Sequence, residues 1–106
     1  MRKFYPGQEF LAYFKRKTEG MSEEWDQTYE YFYDFCKSRC SFYNVDLEKC
    51  LRFEGYLLDQ NLHALEQYEI YKQCFRSIIK QAYEEEELSI NLYEELEDTD
   101  KNYKGI

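Results

Sequence analysis

The chain has 106 residues, 43% of them hydrophobic and 20% aromatic, among them eight Phe, twelve Tyr and one Trp. That is enough large apolar surface for one core and too little length for two, so global disorder is excluded. The net charge of −8 is uneven: residues 1–20 carry +3, residues 21–83 carry −4 and residues 84–106 carry −7. A surface this acidic repels phosphate, so direct contact with nucleic acid or an anionic membrane is not expected except through the short basic N-terminus.

One Pro and four Gly leave long stretches without turn punctuation, which favours helices over a many-stranded sandwich. No run approaches the roughly 18 apolar residues of a membrane span. The basic start has no apolar stretch behind it, so the chain is expected to be cytoplasmic.

In chain order, Pro6 and Gly7 open a first helix bearing Phe10, Leu11, Tyr13 and Phe14. Lys15, Arg16 and Lys17 in its last turn and Gly20 beyond are stop signals. Ser22 is placed to cap a second helix, with Glu23, Glu24 and Asp26 in the first turn. Trp25, Tyr29, Phe32, Cys36, Cys40 and Tyr43 then recur at spacings of three or four, and this stripe is the best core assignment.

Ser41 to Asn44 reads as a connection, after which Asn44 or Asp46 caps a helix carrying Leu47, Cys50, Leu51, Leu57 and Leu58. Gly55 and the run Asp59, Gln60 and Asn61 are two places where that helix could break. Leu62, Leu65, Tyr68, Tyr71, Phe75, Ile78, Ile79 and Ala82 continue the period, which leaves open whether residues 46–83 are one helix or two. Leu88, Leu92 and Leu96 mark a last amphipathic segment, with Ser89 a candidate cap. The expectation is an all-α bundle of four or five helices over residues 1–96, with a frayed polar tail over 97–106.

Chemistry-bearing motifs are few. Cys36 and Cys40 lie at i and i+4 and with Cys50, Cys74 or His63 would offer metal ligands, but no paired knuckle spacing accompanies them. Both fall on an apolar stripe, so core packing is preferred and no metal or cofactor is expected. His63 is the only histidine, which rules out a two-histidine di-iron bundle, and no phosphate loop, nucleophile elbow or dinucleotide turn is present. The chain is therefore not expected to be an enzyme.

Glu84 to Glu87 are followed by Glu94, Glu95, Glu97, Asp98 and Asp100; if a helix ends near residue 86, four carboxylates crowd a C-terminus that favours cations. If one helix continued through them, Glu84, Glu87, Glu94 and Asp98 would form a row of negative charge. Tyr31, Tyr33, Tyr56, Tyr93 and Tyr103 lie off the apolar stripes, as interface tyrosines do. These features suggest a non-catalytic inhibitor that presents Glu84, Glu87, Tyr93, Glu94, Glu95 and Asp98 to a protein partner with a basic surface. In the limit it would act as a DNA mimic against a nucleic-acid-handling protein, of the kind that phages and mobile elements encode. The alternative is an adaptor or structural subunit of a larger helical assembly, including a homodimer.

Overall fold

Five α-helices follow one another in the computed structural model, which describes residues 4–104: α1 (Glu9–Thr18), α2 (Glu23–Phe35), α3 (Leu47–Gln60), α4 (Leu65–Glu84) and α5 (Leu92–Lys104). Arg2 and Lys3 of the basic N-terminus, the last two residues of the expected tail and the side chain of Tyr103 lie outside the described part. Among the described residues there is no strand, and no helix is long and apolar enough to cross a membrane. The all-α expectation therefore holds.

α2 and α4 pack along each other; α1 lies on α2, while α3 and α5 both lie on α4. The centre is a junction of phenylalanine rings drawn from four helices. Phe32 of α2 sits 4.9 Å from Phe53 of α3, 5.5 Å from Phe75 of α4 and 5.6 and 5.5 Å from Phe10 and Phe14 of α1, measured between ring centres. Phe53 and Phe75 close the set at 4.8 Å. Edge-to-face and offset contacts at these distances add to the burial of the rings themselves. Tyr31, Tyr56 and Tyr71 run along the surface seam of α2, α3 and α4, so part of the tyrosine excess zips helices together.

Helix ends follow local chemistry. Gly20, at φ 79, supplies the left-handed step after α1. Ser22 occupies the cap position of α2, though its side chain makes no capping bond, whereas Asp46 accepts from the Lys49 N–H at 2.8 Å and caps α3. Residues 46–83 are two helices: the break falls after Gln60, where Asn61 Nδ2 donates to the Leu57 carbonyl at 2.8 Å, and Gly55 passes through α3 without interrupting it. The cap of α5 is Asn91 rather than Ser89, its Oδ1 accepting from the Glu94 N–H at 3.1 Å.

Three expected features differ. The α2 stripe ends at Cys36, because Lys37 and Ser38 turn left-handed (φ 52 and 61), and Tyr43 is wholly exposed instead of core. Leu62 and Leu65 are exposed: Leu62 lies in the turn before α4 and Leu65 is its first residue, Tyr68 and Tyr71 are only partly buried, and full burial begins at Cys74. Finally, the segment from Glu97 does not fray: α5 continues to Lys104, held by buried Leu92 and Leu96 and by Arg76 of α4. The Arg76 guanidinium donates twice to Glu54 at 2.8 Å, to Asp100 at 2.7 and 3.3 Å and to Glu97 at 3.5 Å. Burial alone would lower the Arg76 pKa; its bonds to Glu54 and Asp100 more than offset this and keep it charged.

Candidate nucleic-acid interface

Between Asp34 and Asp46 the sequence carries two basic residues and no acidic one, the first acid-free segment after the end of α1. The fold makes this segment the connection between α2 and α3. α2 closes with Lys37 N–H on the Asp34 carbonyl (3.2 Å) and Ser38 N–H on the Tyr33 carbonyl (3.1 Å), the paired bonds of a Schellman end. Glycine usually takes the left-handed place in such a turn; here Lys37 takes it, and its side chain is exposed.

The rest of the connection is tied to the start of α1. Gln8 Nε2 donates to the Ser38 carbonyl at 2.6 Å, and the Phe10 N–H, an orphan donor of the first turn of α1, donates to the Cys40 carbonyl at 3.0 Å. The Arg39 side chain lies against Gly7, whose φ of 92 suits glycine and where an added Cβ would come within 3.6 Å of the guanidinium. Among the described residues neither Lys37 nor Arg39 takes part in an ion pair.

A short 3₁₀ turn, Phe42–Asn44, follows. Asn44 Oδ1 accepts from both the N–H and the hydroxyl of Ser41 at 3.0 Å, fixing its shape. Phe42 packs on Phe10 and Tyr13 at 5.5 and 5.6 Å, which turns its neighbour Tyr43 outward to full exposure. The first turns of α3 add Lys49, its ammonium 5.9 Å from the centre of the Phe35 ring, and Arg52, paired with Glu48 at 2.6 Å. That pair is some 70% exposed at both ends, so water screens it and the arginine exchanges partners at little cost. An exposed aromatic ring with Lys37, Arg39, Lys49 and Arg52 around a rigid connection is the chemistry that nucleic-acid backbones and bases meet.

Of the acidic residues singled out in the sequence, Glu87 and Glu95 border this connection on its Tyr43 side, and Glu84, Glu94 and Asp98 lie outside the cleft formed there. Glu84 ends α4, and a second Schellman turn, with Glu86 at φ 64, Glu87 N–H on the Ala82 carbonyl (2.8 Å) and Glu86 N–H on the Tyr83 carbonyl (3.0 Å), separates it from α5. Glu84, Glu87, Glu94 and Asp98 therefore do not form one helical row. Glu87 and Glu95 share a cleft of about 730 Å³ with Tyr43, Asp46, Glu86, Leu88 and Ile90; Glu94 and Asp98 are exposed on α5; Tyr93 is half-buried beneath the Lys80 ammonium, 5.2 Å from its ring centre. Much of the remaining charge is used internally. Glu85 accepts from Lys17 at 2.6 Å and from the Tyr13 hydroxyl at 2.9 Å, and these bonds lower its pKa. Burial, then the bond to Glu85, raises that of Tyr13.

The four cysteines and the histidine do not converge. Cys40, Cys50 and Cys74 are buried, Cys36 is half-buried, His63 is exposed in the α3–α4 turn, and among the described residues no three potential ligands lie together to hold a metal ion.

The sequence profile of the phage integrase SAM-like domain matches residues 8–104, nearly the whole chain. Neither the curated proteins nor the solved structures contain a match. The profile overturns the expectation of a protein-binding inhibitor or DNA mimic, and the adaptor alternative fits no better, because domains of this family come from DNA-binding recombinases. It equally corrects the expectation of no direct nucleic-acid contact. That inference treated net charge as if it acted uniformly, whereas salt confines each charge to a radius of about 8–10 Å and leaves local cation clusters to decide. Only the link to phages survives from that functional expectation. The chain belongs to the phage integrase SAM-like domain family.

Proposed function

We propose that this chain is a DNA-binding module of a recombinase, acting by contact with the duplex and performing no catalytic step itself. The observation that carries the proposal is the family match over residues 8–104. The interface that fits it best is the α2–α3 connection with the start of α3: Lys37, Arg39, Lys49 and Arg52 for backbone phosphates, and Tyr43 for a sugar or base edge. Glu86, Glu87 and Glu95 line a cleft on the Tyr43 side of this surface and disfavour phosphate there, so the duplex docks toward Lys37, Arg39, Lys49 and Arg52 and away from that cleft.

Fluorescence anisotropy with a labelled duplex at about 50 mM salt tests this. With few phosphate contacts, binding is expected to be modest and to weaken steeply with salt, the log–log slope being about −0.9 per phosphate contacted. Lys37→Glu with Arg39→Glu is expected to lower affinity at least about tenfold and to flatten the slope by about two contacts, with an unchanged circular dichroism spectrum. Absence of binding at low salt rejects the function. Binding that the double variant leaves intact rejects the interface.

A further inference from the structure

An open pocket of about 430 Å³ lies between the start of α1 and the 3₁₀ turn, mostly apolar and lined by Gly7, Glu9, Ser41, Phe42 and Tyr43. Tyr43 is the most exposed of the large apolar side chains among the described residues. It stands on a turn shaped by the Ser41–Asn44 bonds and anchored through Phe42 on Phe10 and Tyr13, so the ring is presented by a rigid support. At the rim, Glu9 Oε2 accepts from the Gly7 N–H at 3.0 Å. That bond lowers the Glu9 pKa and leaves the carboxylate lone pairs with which to accept further donors. The Arg39 guanidinium lies against Gly7, its Nη2 3.6 Å from where a Cβ would stand.

Resting on the function proposed above, we propose that this pocket takes one unpaired guanine of the bound DNA. Its ring stacks on Tyr43, its N1–H and N2 amino group donate to the Glu9 carboxylate, and Arg39 holds its phosphate. A duplex shows only base edges in its grooves, because stacking covers the faces; a ring as bare as Tyr43 gains a face only from a base outside the stack. The carboxylate then selects the base. Guanine carries two adjacent donors on its Watson–Crick edge, whereas adenine and cytosine set an acceptor beside their amino group and thymine has one N–H between two carbonyls. An acceptor facing a carboxylate is left without a hydrogen bond. Tyr43 also borders the cleft of Glu86, Glu87 and Glu95, where phosphate is repelled, so the backbone of the extruded nucleotide falls to Arg39.

The test measures anisotropy of the full chain at about 50 mM salt with labelled DNAs of one sequence: a paired duplex, and duplexes carrying a single bulged guanine, adenine, cytosine or thymine. The guanine bulge is expected to bind at least about fivefold more tightly than the paired duplex and at least about threefold more tightly than the other bulges. Tyr43→Ala should remove the gain of every bulge over the duplex. Glu9→Gln should remove only the lead of guanine over the other bases. Deoxyguanosine and deoxycytidine monophosphates, titrated against the Tyr43 ring and Gly7 amide resonances, probe the pocket without a duplex; only the guanine nucleotide is expected to shift both at millimolar concentration. Equal affinity for bulged and paired DNA, a bulge preference that survives Tyr43→Ala, or a guanine lead untouched by Glu9→Gln each overturns the inference. If no DNA binds at low salt, the proposed function falls, and the mononucleotide shifts decide the pocket: their presence sustains it and their absence overturns it as well.

Discussion

Replacing Arg76 by Met separates the stabilising from the merely decorative charges of this domain. The Arg76 and Glu54 side chains are only 2% and 9% exposed and share two bonds of 2.8 Å. Methionine fills the aliphatic volume but strands the Glu54 carboxylate in the core, a loss of about 3–5 kcal/mol. Asp100 and Glu97 are 38% and 40% exposed, so they return to water and add little. Against a total stability of about 5–15 kcal/mol, the melting temperature should fall by on the order of 20 °C. Urea denaturation followed by circular dichroism measures the change. The same reasoning requires Arg76→Met combined with Glu54→Met to regain most of the loss, because an apolar pair leaves no charge behind. A single variant that loses less than about 1 kcal/mol, or a double variant no more stable than the single, refutes the argument.

Two further outcomes follow from the α4–α5 turn. Glu86→Gly should stabilise the domain by about 0.5–1 kcal/mol in the same denaturation assay, since Glu86 holds a left-handed conformation that glycine adopts without strain. Glu85, bonded to Lys17 and Tyr13, has a folded-state pKa below its unfolded one, so its contribution is present above the ordinary carboxylate value and lost as pH falls through the depressed value. Melting curves from pH 7 to 2 should show Glu85→Gln less stable than the parent at neutral pH and the gap closing in acid; a gap independent of pH contradicts the pairing.

Helices were legible wherever apolar spacing and end signals agreed: α1 with its basic last turn and Gly20, and the capping Asp46, stand as read. What failed was continuity. Cys36 and Cys40 keep helical spacing across residues 37 and 38, and nothing about a lysine and a serine announces two successive left-handed residues. Leu62 and Leu65 keep the period as well, but period cannot reveal that both stay exposed while Tyr68 and Tyr71 on the same helix pack against the core. The acidic run was conspicuous and misleading, because Arg76 and Lys17, distant in sequence, take up three of its members. The candidate interface was missed for the opposite reason: Lys37, Arg39 and Tyr43 gather only once the chain turns, and their signal, an acid-free segment in an acidic chain, is faint.

The phenylalanine junction bears on how this domain comes apart. Phe10 and Phe14, Phe32, Phe53 and Phe75 come from four different helices, and each ring is buried by the others. No helix pair therefore owns a complete core, and α1 to α4 form and dissolve in a single cooperative step. α5 contributes no ring to that junction; it joins the same core through Leu92 and Leu96 and presents to Arg76 carboxylates that are more than a third exposed. Hydrogen exchange is therefore expected to find the α5 amides opening at lower free energy than those of α2 and α4.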